Sequence, residues 1–215
     1  CAYCVVPYLR GPEKSREPED IVGEIEKLAG CGIREVTLLG QNVNSYGKKS
    51  GRGDDFVSLL KKINEIEGIE RIRFTTSHPK DLSNELIGCF GSLRKLCRHI
   101  HLPVQSGSNR ILKRMNRGYT AEEYLEKTAR LRRVCPEISI TSDVIVGFPG
   151  ETRKDYQETI DMMEKIRFDS VFSFKYSERK GTAAGALSGK VPEAEKRQRL
   201  KELQALQDRH TQEKN

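Results

Sequence analysis

The sequence has no tryptophan, only three methionines, and no apolar run near the roughly 18 residues that a membrane helix requires. It also lacks the charged start and apolar stretch of a secretory signal. With 36% hydrophobic and 32% charged residues, the composition is that of a well-solvated globular protein, which excludes disordered and collagen-like chains. We therefore expect a cytoplasmic protein with no membrane partner, whose 215 residues build a core without disulfides.

The six cysteines have no spacing typical of a disulfide framework. Four are scattered and are expected to be buried as small hydrophobic residues: Cys31, Cys89, Cys97 and Cys135. Cys1 and Cys4 instead form a CxxC pair. On spacing alone, this pair is compatible with a thioredoxin-like redox site, half of a zinc site, or part of an iron–sulfur site.

The neighbouring sequence helps to distinguish between these three alternatives. The run Val5-Val6-Pro7-Tyr8 is expected to be a poor helix start, whereas a redox CxxC normally opens a helix. A closed zinc site needs a second ligand pair, and the remaining cysteines and histidines do not offer one at similar spacing. Iron–sulfur ligation is the use that fits best, with at least one ligand missing from the chain.

Positive charge is concentrated in one segment. The net charge of the chain is +7, and residues 94–133 hold eleven Lys or Arg against three Glu, a local balance of +8. A polyanion gains from such clustering through counterion release, although long basic side chains also solvate ordinary helices. Nucleic acid is the leading partner class, and the scarcity of aromatic residues in the segment indicates phosphate attraction without base stacking.

Short β-branched runs alternate with helical stretches along the chain, which is typical of βα units. We predict strands at Glu35–Leu39, Arg71–Thr76, His99–Pro103, Ile138–Val146 and Ser170–Tyr176. We predict helices near Pro18–Ala29, Asp55–Ile66, Asn84–Phe90, Ala121–Val134, Arg153–Ile166 and Pro192–His210. This pattern favours a parallel α/β fold, either a doubly wound sheet or an open (β/α) barrel. Lys48, Lys49 and Arg52 are expected to form a flexible basic loop.

Each of four predicted strands ends in small or polar residues. These ends are Leu39–Asn42, Thr76–Pro79, Leu102–Ser108 and Val146–Thr152. Gly, Pro, Asn and Ser are common in any βα turn. Ligands nevertheless bind at the carboxyl ends of parallel strands, so four such loops together predict a shared site.

The segment Cys1–Gly11 resembles the end of the CxxxCxxC motif of radical S-adenosylmethionine (SAM) enzymes, in the form used by the methylthiotransferase family. Residues 38–46, 73–79, 102–108 and 143–152 are similar to further motifs of that family. The resemblance covers essentially the whole chain. It implies a partial TIM-like (β/α)6 barrel over residues 1–190, with its first strand truncated, followed by a C-terminal helix over residues 191–215.

The resemblance also implies cofactors and a reaction. Three cysteines hold a 4Fe-4S cluster, SAM binds its open iron, and SAM is cleaved to a 5′-deoxyadenosyl radical. The implied activity is methylthiolation at C2 of isopentenyladenosine at tRNA position 37. The implied partners are tRNA and an electron donor such as flavodoxin or ferredoxin. An N-terminal domain with a second 4Fe-4S cluster and a C-terminal RNA-binding TRAM domain, both part of the family pattern, are expected to be absent from this chain.

Site residues are assigned by the same resemblance. Cys1 and Cys4 would ligate the cluster, and Tyr3 would contact the SAM adenine. The further residues assigned to SAM are Gly40, Gln41, Asn42, Ser77, Gln105, Ser106 and Asp143. The candidates for contact with a flipped adenosine are Arg10, Asn44, Tyr46 and His78.

The sequence departs from the family pattern in one important way. The first cysteine of the motif would lie four residues before Cys1, so the chain supplies two of three ligands, and we expect that it cannot hold a stable cluster by itself. Within the family, the alternatives are methylthiolation of threonylcarbamoyl-adenosine in tRNA or of a ribosomal-protein aspartate. Outside it, a non-catalytic RNA-binding barrel or a CxxC redox module are the alternatives.

Overall fold

Helices and strands alternate along the chain, as the hydrophobic pattern predicts. The computed structural model describes residues 1–11, 14–48 and 55–214. Its helices are α1 (Val6–Arg10), α2 (Pro18–Gly30), α3 (Phe56–Glu65), α4 (Asn84–Ser92), α5 (Asn109–Arg114), α6 (Ala121–Val134), α7 (Arg153–Ile166) and α8 (Glu193–Lys214). Its strands are β1 (Glu35–Leu38), β2 (Arg71–Phe74), β3 (His99–His101), β4 (Ser139–Val146) and β5 (Ser170–Lys175). Short 3-10 turns cover Val43–Ser45, Pro79–Asp81 and Ala183–Ala186.

All five predicted strands are present, and each is shorter than predicted by one or two residues. The residues lost at the carboxyl ends belong to the loops that follow. Thr76, for example, has a φ of 62°, which no ladder residue adopts. The predicted helices are present as well, while α5 was not predicted because six residues are too few for a visible helical period.

The expectation that Val5–Tyr8 is a poor helix start is wrong. Helix α1 begins at Val6 and carries Pro7 in its first turn. Proline is tolerated there because the N–H groups of a first turn have no partner within the helix. A helix does follow the CxxC pair, so the local structure does not exclude a redox use of the two cysteines.

The chain divides into two compact units. The first unit comprises Cys1–Pro12, Leu102–Thr128 and Ser139–Asn215. The second unit comprises Glu13–His101 and Ala129–Ile138. The cysteine pair, β4, β5 and α8 thus belong to the first unit, and β1, β2 and β3 belong to the second.

In the second unit, β1 and β2 pair in parallel with Glu35 opposite Arg71 and Leu38 opposite Phe74. Glu35 accepts hydrogen bonds from Arg71 and Arg73, which sit on one face of β2. The core of this unit is formed by apolar residues that are at most 5% exposed, namely Ile25, Phe56, Leu59, Leu60, Ile63, Ile72, Phe74, Leu86, Ile87 and Phe90.

In the first unit, β4 and β5 pair in parallel. Residues of β4 alternate between buried and half-buried, and Ile140, Val144 and Val146 are fully buried. This alternation shows that one face of the strand is covered, while the other is open to a ligand or to solvent. Helix α8 packs within this unit, because Tyr156 donates to the Arg199 carbonyl (2.8 Å) and Gln207 donates to the Phe168 carbonyl (3.2 Å).

Helix α7 begins with a capping box, in which Thr152 accepts from the Asp155 N–H and Asp155 accepts from the Thr152 N–H. The buried Asp155 carboxylate also accepts from Ser108 (2.7 Å) and from the Arg110 guanidinium. Burial by itself would raise the pKa of Asp155, but these hydrogen bonds outweigh it and hold the pKa well below its usual range. Asp155 thereby ties the start of α7 to the loop that precedes α5.

Of the four scattered cysteines, only two are buried. Cys89 and Cys135 are buried as predicted, whereas Cys97 is half-buried and Cys31 is exposed, because Cys31 follows the last turn of α2 at the surface. Of the predicted basic loop, Lys49 and Arg52 lie outside the described residues.

Across the described ranges, every helix is too short or too polar to cross a membrane.

We predict that Asp155→Asn lowers the free energy of unfolding by about 1–3 kcal/mol at pH 7, because a charged acceptor of several hydrogen bonds is lost. The pKa of Asp155 is lower in the native state than the unfolded value of about 3.9, so its contribution is complete well above that pH and is lost progressively as the pH falls from there toward the native-state pKa. Urea unfolding at pH 7 and at about pH 2.5 measures the two values.

The control for this prediction is Asp161→Asn, which removes an exposed carboxylate from the same helix and should change stability by less than about 0.5 kcal/mol. A difference between wild type and Asp155→Asn that is equally large at both pH values would contradict the prediction.

Candidate active site

The segment that carries the cysteine pair is held on both sides by backbone hydrogen bonds. Ala2 donates to the Met115 carbonyl (2.9 Å), and its own carbonyl accepts from the Ala184 N–H (2.9 Å). The Cys4 N–H points back to the Cys1 carbonyl at 3.4 Å, which closes a turn. Both cysteines are free thiols, with Cys1 exposed and Cys4 half-buried. The turn is therefore fixed in place while its sulfurs remain accessible to a metal cluster.

A buried arginine lies directly behind this turn. Arg117 donates to Cys1 Sγ (3.0 Å), to the Pro103 carbonyl (2.9 Å) and to the Tyr119 hydroxyl (3.0 Å). Within the described residues, no carboxylate forms an ion pair with this guanidinium, although the residue is only 5% exposed. A buried cation needs a nearby anion. Cys1 in its thiolate form would supply that countercharge.

Tyr3, between the two cysteines, packs on the apolar core of the first unit. Its ring lies 6.2 Å from the Phe148 ring in an edge-on arrangement. Burial raises the pKa of Tyr3 to about 12, the charge of Arg117 acts in the opposite sense, and Cys4 and Asp143 add to the rise. Tyr3 is thus fixed by the core between the two predicted cluster ligands.

Gln105 lies in the loop between β3 and α5, in the first unit. It has a left-handed φ of 69°, its N–H donates to the Asp143 carbonyl (2.8 Å), and its carbonyl accepts from the Ile145 N–H (3.0 Å). A positive φ at a residue other than glycine is uncommon and costs free energy. Gln105 is fixed beside Asp143 in this way.

Ser106 has a different environment. It is fully buried, and its hydroxyl lies 3.4 Å from the Thr159 hydroxyl of α7. The next residue is held equally closely, because a Cβ at Gly107 would lie 2.4 Å from the Glu158 carbonyl oxygen. These contacts give Ser106 a packing role, and its predicted contact with SAM stays a prediction.

In the second unit, the loops that follow β1 and β2 meet. The Val43 N–H donates to the Thr76 carbonyl (3.3 Å), and the Thr76 hydroxyl donates to the Gly40 carbonyl (2.5 Å). Thr76 has a φ of 62°, a conformation that is unusual for a β-branched residue. The predicted SAM residues Gly40 and Ser77 are brought together by this pairing of loops.

The substrate candidates of the second unit take part in the same pairing. Asn44 is buried and exchanges two hydrogen bonds with the backbone of His78, from Asn44 Nδ2 to the carbonyl (3.1 Å) and from the N–H to Asn44 Oδ1 (2.9 Å). Tyr46 donates its hydroxyl to the Arg16 carbonyl (2.7 Å). Asn44 therefore joins the two loops, and its predicted contact with substrate stays a prediction. Two further predicted site residues are exposed, namely Gln41, assigned to SAM, and Arg10 of the first unit, assigned to the substrate.

Three residues predicted to bind SAM carry buried polar atoms that have no hydrogen-bond partner among the described residues. These atoms are Asn42 Oδ1, Ser77 Oγ and Gln105 Oε1. The amide nitrogen of Asn42 is already used, since it donates to Asp81 (2.7 Å). Buried polar groups are nearly always paired, so each such atom indicates a missing partner such as a ligand or a water molecule.

The predicted site residues therefore form two groups. Cys1, Tyr3, Cys4, Arg10, Gln105, Ser106 and Asp143 belong to the first unit. Gly40, Gln41, Asn42, Asn44, Tyr46, Ser77 and His78 belong to the second. In the part of the chain that the structure describes, no three His, Cys, Asp or Glu side chains are grouped as metal ligands, so Cys1 and Cys4 stand as a pair.

Sequence reasoning missed two sets of residues here. It did not identify Arg117, which looked like one of many basic residues. It also did not identify the buried pair of Glu151 and Arg199 (2.5 Å), in which Glu151 Oε2 accepts from the Gly147 N–H (2.6 Å). Burial raises the pKa of Glu151, and the Gly147 N–H and Arg199 partly offset this. Each arginine has a partner far away in sequence, Cys1 for Arg117 and Glu151 for Arg199, and no local pattern reveals such a contact.

The basic segment is less available to a polyanion than its charge predicts. Residues 94–133 are divided between the two units. Arg117 is buried, Arg110 pairs with Asp155, and Arg114 donates to the Pro149 carbonyl (3.0 Å). Part of the local charge thus serves the fold.

Comparison with known sequences identifies relatives over the whole chain. A family model described as the radical SAM superfamily matches residues 1–163. The chain is 65% identical over its full length to a tRNA-2-methylthio-N(6)-dimethylallyladenosine synthase of Syntrophus aciditrophicus, and covers 47% of that protein. It is 58% identical over its full length to the synthase of the same name from Geotalea uraniireducens, and covers 49% of it. The chain thus spans about half the length of these relatives.

Solved structures show the same fold at low sequence identity. Coproporphyrinogen III oxidase (HemN) from Escherichia coli, described as a radical SAM enzyme, matches with a TM-score of 0.63 and 16% identity, over 90% of this chain and 46% of that one. Methylornithine synthase (PylB) matches with a TM-score of 0.59 and 16% identity, over 96% of this chain and 58% of that one. These likenesses confirm the predicted α/β class with parallel strands and favour the barrel over the doubly wound sheet.

We predict that Arg117→Met lowers the free energy of unfolding by about 1–3 kcal/mol, because the Pro103 carbonyl loses a charged donor in a buried place. Urea unfolding of the 215-residue chain measures the change. Lys113→Met, which removes an exposed basic side chain from α5, is the control and should stay within about 0.5 kcal/mol of wild type. Equal stability of Arg117→Met and wild type would show that the buried guanidinium does not anchor this region.

Proposed function

Because this chain belongs to the radical SAM superfamily, we propose that it is the core of a tRNA methylthiotransferase that acts at C2 of N6-dimethylallyladenosine. The observation that carries this proposal is the 58–65% identity to synthases of that name over all 215 residues. The match extends over the whole chain and therefore includes the cysteine turn and the strand-end loops.

The cysteine turn has the properties that a cluster site requires. Cys1 and Cys4 are free and reachable, and their backbone is fixed by bonds to Met115 and Ala184. Arg117 donates to the sulfur of Cys1, and such a hydrogen bond stabilises a negatively charged ligand sulfur. We assign Cys1 and Cys4 as two ligands of a 4Fe-4S cluster, with a third ligand supplied from outside the described residues.

Unpartnered polar atoms in each unit support the SAM assignments. In the first unit, Gln105 Oε1 lacks a partner within the described ranges, and an amine or ribose hydroxyl group of SAM would donate to it. In the second unit, Asn42 Oδ1 and Ser77 Oγ likewise lack partners among the described residues. Tyr3 is held against Phe148 and would border the adenine. When bound, the cluster and SAM would supply one-electron chemistry at an unactivated carbon; the protein residues orient them and exclude water.

The wider assignments follow from the same proposal. We propose tRNA as the substrate, a one-electron donor such as flavodoxin or ferredoxin as a partner, and a cytoplasmic location. We propose that residues 1–190 form the radical SAM core and that residues 191–215 lead toward a TRAM domain. A preceding domain would carry the second 4Fe-4S cluster.

The test uses a chimaeric enzyme, in which these 215 residues replace the matched region of the Syntrophus aciditrophicus synthase. It is expressed in a bacterial strain that lacks its own synthase, and tRNA nucleosides are measured by mass spectrometry. We predict that the chimaeric enzyme restores the 2-methylthio group on dimethylallyladenosine. Cys1→Ala and Cys4→Ala should abolish this product, because each removes a cluster ligand.

Cys31→Ala provides the control, since Cys31 is exposed and lies in the second unit away from the cysteine turn in sequence. It should retain the product at the wild-type level. Methylthiolation of threonylcarbamoyl-adenosine, or no tRNA product from a chimaera that contains its full iron complement, would contradict the proposed substrate.

A further inference from the structure

Strand β5 presents two phenylalanine side chains on an exposed face. Phe172 is 58% exposed and Phe174 is 53% exposed. They are separated by one residue, so both point to the same side of the strand. Exposed aromatic rings in neighbouring positions are uncommon on a protein surface and typically mark a binding surface.

The pairing with β4 defines what shares this face. Asp143 is opposite Phe172, and Ile145 is opposite Phe174. Residues in register on parallel strands point to the same side of the sheet. The other face carries Ile140, Val144 and Val146, which are fully buried. The two rings therefore stand on the open face of the sheet, together with the predicted SAM residue Asp143.

This open face adjoins the cysteine turn. Ile145 packs against an apolar cluster of Ile111, Met115, Phe148, Tyr176 and Ala184. Tyr3, from between the two cysteines, packs against the same cluster. The order of side chains within the first unit is thus the cysteine turn with Tyr3, then Ile145 and Asp143, then the two rings of β5.

The chemistry of this face is mixed, with a carboxylate beside two aromatic rings. The proposed function assigns Asp143 to SAM, so the substrate needs an aliphatic group that covers the rings. A purely polar ligand would leave the rings exposed. A dimethylallyl group, the substituent in the name of the relatives, is such an aliphatic group.

We propose that Phe172 and Phe174 contact the dimethylallyl group of the substrate and thereby determine specificity for the prenylated nucleoside. The inference rests on the proposed function and adds the residues that select the substrate. An unmodified adenosine would leave the rings exposed to water, and a threonylcarbamoyl group would place a carboxylate against them. Both would bind less tightly than the prenylated base.

The test measures binding of the chimaeric enzyme to two anticodon stem-loops that differ by the dimethylallyl group at position 37 alone. Fluorescence anisotropy gives the dissociation constant for each RNA. We expect Phe172→Ala with Phe174→Ala to weaken binding of the prenylated RNA about tenfold or more, since one or two lost methylene contacts have effects of this size. Binding of the unmodified RNA should change by less than about twofold.

Two further variants define the comparison. Phe172→Leu with Phe174→Leu keeps the face apolar and should retain most of the preference. Leu28→Ala truncates another exposed apolar residue, on α2, and should leave both constants unchanged. Thermal unfolding of each variant is measured in parallel.

Three results would overturn the inference. An equal loss for both RNAs would mean that the rings stack on bases in general. Unchanged constants would mean that they do not touch the substrate. The third result is a melting temperature that the double Ala variant lowers in the chimaeric enzyme and leaves unchanged in the 215-residue chain. It would mean that another segment of the chimaeric enzyme covers Phe172 and Phe174. If the wild-type chimaera itself has no preference for prenylated RNA and makes no product, the proposed function fails instead.

Discussion

The placement of the cysteine turn depends on a small set of long-range contacts. Two backbone hydrogen bonds hold Ala2 between Met115 and Ala184, and the buried guanidinium of Arg117 reaches the sulfur of Cys1. A five-residue helix and a tight turn have little stability of their own in water. The segment is therefore ordered by the core of the first unit, and the accessible sulfurs, Tyr3 and the strand-end residues have defined neighbours for that reason.

Some residues in the strand-end loops have a strained backbone or a buried polar atom without a partner among the described residues. Thr76 and Gln105 hold left-handed backbone conformations at strand ends, and Ser77 Oγ and Gln105 Oε1 are buried without partners among the described residues. Each feature costs free energy in the folded chain. A polar partner that reaches Gln105 in the first unit, or Ser77 in the second, would offset that cost.

Local signals in the sequence were sufficient for most of the secondary structure. β-branched runs placed all five strands, and helix α6 and helix α7 have the predicted bounds. Helix α1 was missed because the preference against proline was applied to a first turn, where it does not hold. The exposure of Cys31 was missed because burial of a residue just past a helix end depends on how that helix packs.

The site was predictable in part. The spacing of Cys1 and Cys4 and the polar strand ends are local patterns that indicated candidate residues, while the family resemblance chose between a redox, a zinc and an iron–sulfur use of the cysteine pair. Arg117 and the pair of Phe172 and Phe174 were not identified. A buried arginine and an exposed phenylalanine both oppose the usual hydropathy trend, and their environment depends on contacts with residues far along the chain.

The most direct test of this account is a crystal structure of the iron-loaded full-length protein, with anomalous diffraction measured at the iron absorption edge. The account predicts an iron cluster bonded to Sγ of Cys1 and Sγ of Cys4, with Arg117 still in hydrogen-bonding distance of Cys1. Iron bound at other residues, or a disulfide that joins Cys1 to Cys4, would contradict it.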